Sequence, residues 1–205
     1  VTIDFSLAQR RLISGSYSIG GADGVPGPKT WAGILAFVGQ RQMSATLPLG
    51  EAAAVVLHGT SVVQSPARLA NFLGQAAHES GSWRYLREIW GPSPAQRGYE
   101  GRADLGNCRP GDGRLFCGRG LFQLTGRGNY ARAGKALGLD LETHPQLVEQ
   151  PAIAWRTALW FWTTHNLDAL ADAGREDDIT RKINGGVTGI ERRRALVQRA
   201  KGLFV

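Results

Sequence analysis

The chain has 205 residues, with 24 Lys and Arg against 17 Asp and Glu and a formal net charge of +7. That length suffices for one full core, or one domain with a small appendage, and the basic balance suits an anionic partner such as peptidoglycan, lipopolysaccharide, a membrane surface or nucleic acid. The arginines are scattered, form no basic tail or zipper-like helix and accompany no reading motif, which argues against nucleic acid.

In chain order, Leu7, Arg11, Leu12 and Ile13 predict a short helix, Gly20 to Gly24 and Gly27-Pro28 predict turns, and Thr30 to Val38 predict a second helix. This order of Leu-rich helix, Asp-Gly, Gly-Pro and apolar helix is similar to small peptidoglycan-binding helical modules, although it lacks a third helix. Residues 1–43 therefore read either as a tethering module that raises local substrate concentration or as an extension packed on the domain at 44–205. Gln40 to Ser44 is the junction.

Ser65 is a good N-cap and Pro66 suits the first helical position. Leu69, Phe72, Leu73, Ala76 and Ala77 follow at helical spacing, and Glu79 falls only about 20° from Phe72, so its carboxyl looks inward. An inward carboxyl costs free energy unless it is paired or protonated. Two readings stand: a buried Glu held by a structural Arg, or a general acid.

Glu88 follows nine residues later, which on one unbroken helix would leave the carboxyls on opposite sides and about 13 Å apart along the axis. Gly81 and Ser82 are a plausible helix stop, after which Trp83, Tyr85, Leu86 and Ile89 suit an extended segment able to return Glu88 across a cleft. Facing carboxyls across a groove suit glycoside hydrolysis. Glu100 competes for the second position, and Trp83 and Trp90, close to these carboxyls, are the aromatics expected in the cleft. The bland alternative for Glu88 is a surface pair with Arg84 or Arg87.

Gly118 to Tyr130 is rich in glycine and arginine, so backbone and ligand can approach closely, with Gln123, Thr125 and Asn129 offering hydrogen bonds and Tyr130 a stacking ring. No Walker-type Gly-Lys-Ser/Thr ending occurs, which argues against a nucleotide site. Cys108 and Cys117 bracket a turn-forming stretch, and read either as a disulfide or as small buried hydrophobes. Pro151 opens a helix to about His165 whose Trp155, Trp160, Phe161 and Trp162 surround it and so read as core. Asp177-Asp178 suits a cap, and Asn184-Gly185-Gly186 a left-handed helix end. On the last helix Arg193 lies on the apolar stripe of Leu196, Val197, Ala200, Leu203 and Phe204, whereas Arg194 lies off it. Arg193 is thus the arginine placed to meet a buried carboxylate.

The strings Asn71 to Gly81, Tyr99 to Asn107, Gly118 to Tyr130, Trp160-Phe161-Trp162 and Ile183 to Gly186, in that order, resemble glycoside hydrolase family 19, and within it the phage-type endolysins. The resemblance covers about residues 46–205. It implies a mostly α, lysozyme-like two-lobed catalytic domain that hydrolyses β-1,4-linked N-acetylhexosamine polymers with inversion. Glu79 matches the general acid, Glu88 the general base, and Thr125 the residue that helps hold the attacking water. His78, Tyr85, Glu100, Arg102, Gln123, Asn129, Tyr130, Asn184 and Arg193 are then the expected substrate-binding residues. For Asn184 the alternative is a helix cap only. The substrate is bacterial peptidoglycan, with chitin or a non-catalytic wall-binding role as alternatives, and the protein is expected to be a monomer.

His78 beside Glu79 invites a metal reading of the His-Glu-x-x-His type, but position 82 is Ser, and His58, His144 and His165 show no ligand spacing. No metal or cofactor is expected, and His78 is read as orienting neighbouring polar groups, Glu79 or Glu88 among them. No run approaches the ~20 apolar residues of a membrane span, and Val1 to Ser6 lacks signal-peptide character. The expectation is an unsignalled protein held in the host cytoplasm before release, acting on the wall in the periplasm.

Overall fold

A computed structural model of the chain describes residues 3–205. Asp4 opens α1 (Phe5–Ser14) by accepting the Leu7 amide, and Pro28 starts α2 (Pro28–Gly39) at a position where no N–H is needed. Gln40, in a left-handed conformation, then turns the chain into α3 (Met43–Val56), which packs along α2. That helix pair crosses the junction read at residue 43. Residues of α1 and α2, Leu12, Trp31, Ile34 and Leu35 among them, share one core with the helices that follow. Phe5 sets its ring edge-on to Trp31 and Phe204, and Arg11 donates to the carbonyls of Gly202 and Val205.

α4 (Pro66–Glu79) begins as the sequence predicts, with the Ser65 hydroxyl accepting the Arg68 amide and Pro66 at the first position. It lies against the last helix, α11 (Ile190–Phe204), at very short range. At Gly74 an added Cβ would stand 2.5 Å from Val197 Cγ2 and 2.8 Å from the Val197 amide nitrogen, so only glycine fits there. The consequence is functional: the close approach brings Arg193 over Glu79.

Between them come the short α5 (Pro94–Arg97) and α6 (Asp112–Leu115), then α7 (Arg127–Leu137), α8 (Pro151–Thr164), α9 (Leu167–Asp172) and α10 (Glu176–Asn184). The start of α10 differs from expectation, since the helix begins ahead of Asp177 and Asp178, with Arg175 at the N-cap and Asp178 bonded to Arg175 and Arg181. Its end is the expected left-handed turn at Gly185. Isolated antiparallel bridges, Arg87 with Arg119 and Arg119 with Leu124, lay the segments around 87, 119 and 124 side by side.

Two apolar cores result. The larger gathers α1 to α4, α8, α9 and α11, while Phe116, Tyr130, Ala133, Leu141 and Val148 form a second, smaller one. α8 serves both, which explains its aromatic girdle: Trp155 and Trp162 enter the large core, whereas Ile153 and Trp160 pack on the small one. The protein is mostly α-helical and two-lobed, as the sequence predicts. No helix among the described residues is long and apolar enough to cross a membrane.

Candidate active site

Glu79 is the last residue of α4 and its side chain is 17% exposed. Arg193, itself only 2% exposed, donates from one terminal nitrogen to Glu79 Oε1 at 2.5 Å and from the other to Gln75 Oε1 at 2.7 Å. Gln75 in turn donates to the Thr180 hydroxyl at 2.9 Å, and the Arg193 Nε bonds the Thr188 carbonyl at 3.3 Å. A guanidinium fixed by several partners holds the carboxyl in one orientation. Glu79 Oε2 accepts no hydrogen bond among the described residues and is the oxygen available to a substrate.

After α4 the chain reverses through Gly81, Ser82 and Trp83, all left-handed, at φ +58°, +60° and +66°. Two non-glycine residues in that region are uncommon and require support. Ser80 supplies it: fully buried, it accepts the Trp83 amide on its hydroxyl and the Arg84 and Tyr85 amides on its carbonyl. The Trp83 indole is anchored in the large core by a 2.8 Å bond to the Leu35 carbonyl. Trp83 is therefore a pin for the turn and not a cleft aromatic, and Trp90 packs against Tyr99 with ring centres 6.4 Å apart.

The reversal delivers Glu88 to the bridged segments. Its amide donates to the Gly118 carbonyl, while its carboxylate accepts the Gly118 amide at 3.1 Å and the Tyr99 hydroxyl at 3.2 Å. Burial first, and then Glu88, raise the Tyr99 phenol above its ordinary range, so it stays protonated and donates. Neither Arg84 nor Arg87 pairs with Glu88; Arg87 lies 3.9 Å from Glu149 instead. A Cβ at Gly118 would meet Gln123 Oε1 at 2.8 Å and Glu88 Oε2 at 3.3 Å, which locates Gln123 beside Glu88.

A groove of about 550 Å³ borders both cores: Leu124 and Trp160, which pack on the small one, and Phe122, Phe161 and Ile183, which pack on the large one, line it together with Gln123, Thr125, Asn129, Arg132 and His165. Glu88 adjoins Gln123 of the groove, and Thr180, joined to Glu79 through Gln75 and Arg193, lies one helical turn before Ile183. Within the groove Thr125 donates to the Gln123 carbonyl at 2.8 Å, and Asn129 donates to the Thr125 carbonyl at 2.7 Å. Asn184 is exposed at the end of α10, next to Ile183. Tyr85, 46% exposed, lies instead in a separate depression of about 460 Å³ with Arg84, Arg87 and Glu149.

Several expected contacts are otherwise engaged. Tyr130 is no stacking platform: its position on α7 turns the ring into the small core, where the hydroxyl donates to the Cys117 carbonyl at 2.8 Å and accepts from Arg119. Glu100 spends both oxygens on backbone amides, Gly111 at 2.6 Å and Gly113 at 2.8 Å, and so ties down the loop ahead of α6. Arg102 is exposed and paired with Asp104 at the surface. His78 orients neither Glu79 nor Glu88 by hydrogen bonding, because its Nδ1 is buried without a partner and its ring packs against Gly189, leaving no room for a side chain there. Burial, and then the charges of Arg193 and Arg192, push the His78 imidazole down to about 4, so it is neutral at pH 7. Cys108 is exposed, Cys117 is buried, and both are free thiols. No group of three or more His, Cys, Asp or Glu among the described residues could hold a metal ion.

The residues that periodicity missed are Phe122, Arg132, Trp160, Phe161 and His165. Their signal was present in part: Phe161 and His165, four apart on α8 and its cap, stack at 4.0 Å, but which flank of a helix ringed by aromatics meets a groove is not periodic information.

A helical, two-lobed body with two separately fixed carboxyls, Glu79 at the end of α4 and Glu88 on the bridged segments beside Gln123 of the groove, suits a glycosidase. The family model for glycoside hydrolase 19, chitinase class I, matches residues 57–171, and the chain belongs to that family. A glycosyl hydrolase family 19 domain-containing protein of Haemophilus influenzae is 34% identical over 151 residues, 60% of this chain and 74% of that protein. An endochitinase of Arabidopsis thaliana is 41% identical over 119 residues, 58% of this chain but only 39% of the plant protein. The crystal structure of a chitinase C mutant superposes with a TM-score of 0.66 over 90% of this chain and 95% of that one, at 24% identity, and shares the fold.

Proposed function

We propose that this family 19 hydrolase is an endolysin-type muramidase that cleaves β-1,4 bonds of bacterial peptidoglycan with inversion, acting on the wall from the periplasmic side. The observation that carries the reading is the pair of separately fixed carboxyls. Glu79 ends a large-lobe helix with one oxygen held by Arg193, and Glu88 sits on the bridged segments beside Gln123. In the mechanism Glu79 delivers a proton to the leaving oxygen while Glu88 draws one from water, and Thr125 holds that water. An inverting pair needs about 6.5–9.5 Å between carboxyls to admit the water. The net charge of +7 favours an acidic polymer over neutral chitin. Chitin remains the second reading because the Arabidopsis relative is named an endochitinase.

Chitin and outer-membrane-permeabilised Gram-negative cells, assayed side by side, test the substrate. The expected result is clearing of the cells, and hydrolysis of chitin alone would overturn it. Fragment masses should show reducing ends with water added; anhydro-sugar ends would mean a transglycosylase. Glu79→Gln should lower turnover by about 10²–10⁴-fold while wall binding persists, and unchanged lysis would remove Glu79 from the mechanism.

A further inference from the structure

We infer that Arg132 is a specificity residue that binds a carboxylate of the peptide branch which peptidoglycan carries on alternate sugars and chitin lacks; this rests on the muramidase reading above.

α7 carries two arginines, and their surroundings differ. Arg127 is 18% exposed, paired with Asp112 at 2.6 Å and Glu142 at 3.4 Å, and its guanidinium lies 4.5 Å from the Phe116 ring centre. It is a structural cation. Arg132 is exposed, lines the interlobe groove and has no carboxylate within 4.0 Å among the described residues; it donates only to Asn129 Oδ1, at 2.5 Å. Asn129 is itself held by the Thr125 carbonyl at 2.7 Å.

The line Thr125, Asn129, Arg132 thus ties the guanidinium to the residue read as holding the attacking water. One bond to an amide oxygen leaves most of the five guanidinium donors free. The same groove is lined by aromatics, Trp160 and Phe161 with His165 stacked on Phe161, and by no Asp or Glu among the described residues. An oriented arginine without an acid, over a partly apolar wall, recognises a carboxylate bidentately better than it recognises sugar hydroxyls. The sugar at the bond to be cut therefore lies at the Thr125 end, and its acidic branch reaches toward Arg132.

The test compares purified peptidoglycan with the same glycan strands stripped of peptides by an amidase and capped as the methylamide at the lactyl carboxylate that this hydrolysis frees, reading kcat and KM for each. Arg132→Gln should lower the ratio of kcat/KM on intact over stripped strands by about tenfold, mainly through KM, the equivalent of one charge-assisted hydrogen bond. Arg132→Lys should restore part of that ratio, and Arg114→Gln, the loss of another exposed arginine, should leave the ratio within about twofold. An Arg132→Gln enzyme whose ratio equals that of wild type, or whose two substrates decline together, would overturn the assignment. A wild-type enzyme that cleaves neither form would instead overturn the muramidase reading, and the assignment with it.

Discussion

The large lobe closes over aliphatic and aromatic side chains, with Trp31, Trp155 and Trp162 all at or below 2% exposure, and its buried arginine, Arg193, serves the site. The small lobe's apolar core consists, among the described residues, of Phe116, Tyr130, Ala133, Leu141 and Val148. Around them stand Arg119 bonded to Tyr130 and Glu149, Asp112 bonded to Arg127, and Glu100 on two backbone amides. A core that small buries little apolar area, so charge-assisted hydrogen bonds carry more of its stability. Glu79, the proposed acid, thus comes from a body held by packing and Glu88, the proposed base, from one held by a polar network, and pH should act on the two differently.

The strongest way to break this contrast is Asp112→Asn. Asp112 is 1% exposed and takes two bonds from Arg127, so removing its charge should cost about 3–5 kcal/mol by leaving the guanidinium with only its longer contact to the exposed Glu142. Calorimetry should show the loss, and a transition unmoved from wild type would mean the small lobe does not depend on this pair. The same bonds hold the Asp112 carboxyl below the usual 3.8. Its contribution is therefore present above pH 3.8 and disappears only as pH falls through the lower folded value.

A middle-sized effect separates the two glutamates of the small lobe. Glu100→Gln should cost about 1.5–3 kcal/mol of stability and retain turnover in the folded protein, whereas Glu88→Gln should lose turnover by about 10²-fold or more. Equal losses of turnover would return Glu100 to candidacy as the base. A further effect, read from pH dependence, belongs to the large lobe. His78 is neutral in the fold down to about 4 but takes up a proton near 6.5 when unfolded, so the unfolded state binds more protons in that window. Stability should rise with pH between 4 and 6.5. His78→Asn should flatten that slope in denaturant titrations, and a slope as steep as wild type would show that other groups produce it.

Much of the large lobe was legible because apolar residues at helical spacing state which way a helix faces. Ser65-Pro66 marked where α4 begins, the phase of Phe72 turned Glu79 inward, and the stripe on the last helix separated Arg193 from Arg194, which pairs at the surface with Asp177 and Glu191. The small lobe was less legible. Tyr130 and Glu100 bear groups suited to sugar contact, yet the fold directs one into the core and the other onto the amides of a glycine loop. Residue type states what a side chain can do, and loop geometry decides which partner reaches it first.

The amino-acid sequence alone determined a mostly helical protein, an inward Glu79 and an arginine on the facing stripe, because burial periodicity is local information written every few residues. Tertiary structure decided where Glu88 sits, that Trp83 pins a left-handed turn, and that Arg132 stands in the groove without an acid. Those depend on segments far apart in the chain meeting across the bridges at Arg119 and along the seam between two cores. No spacing rule encodes such meetings.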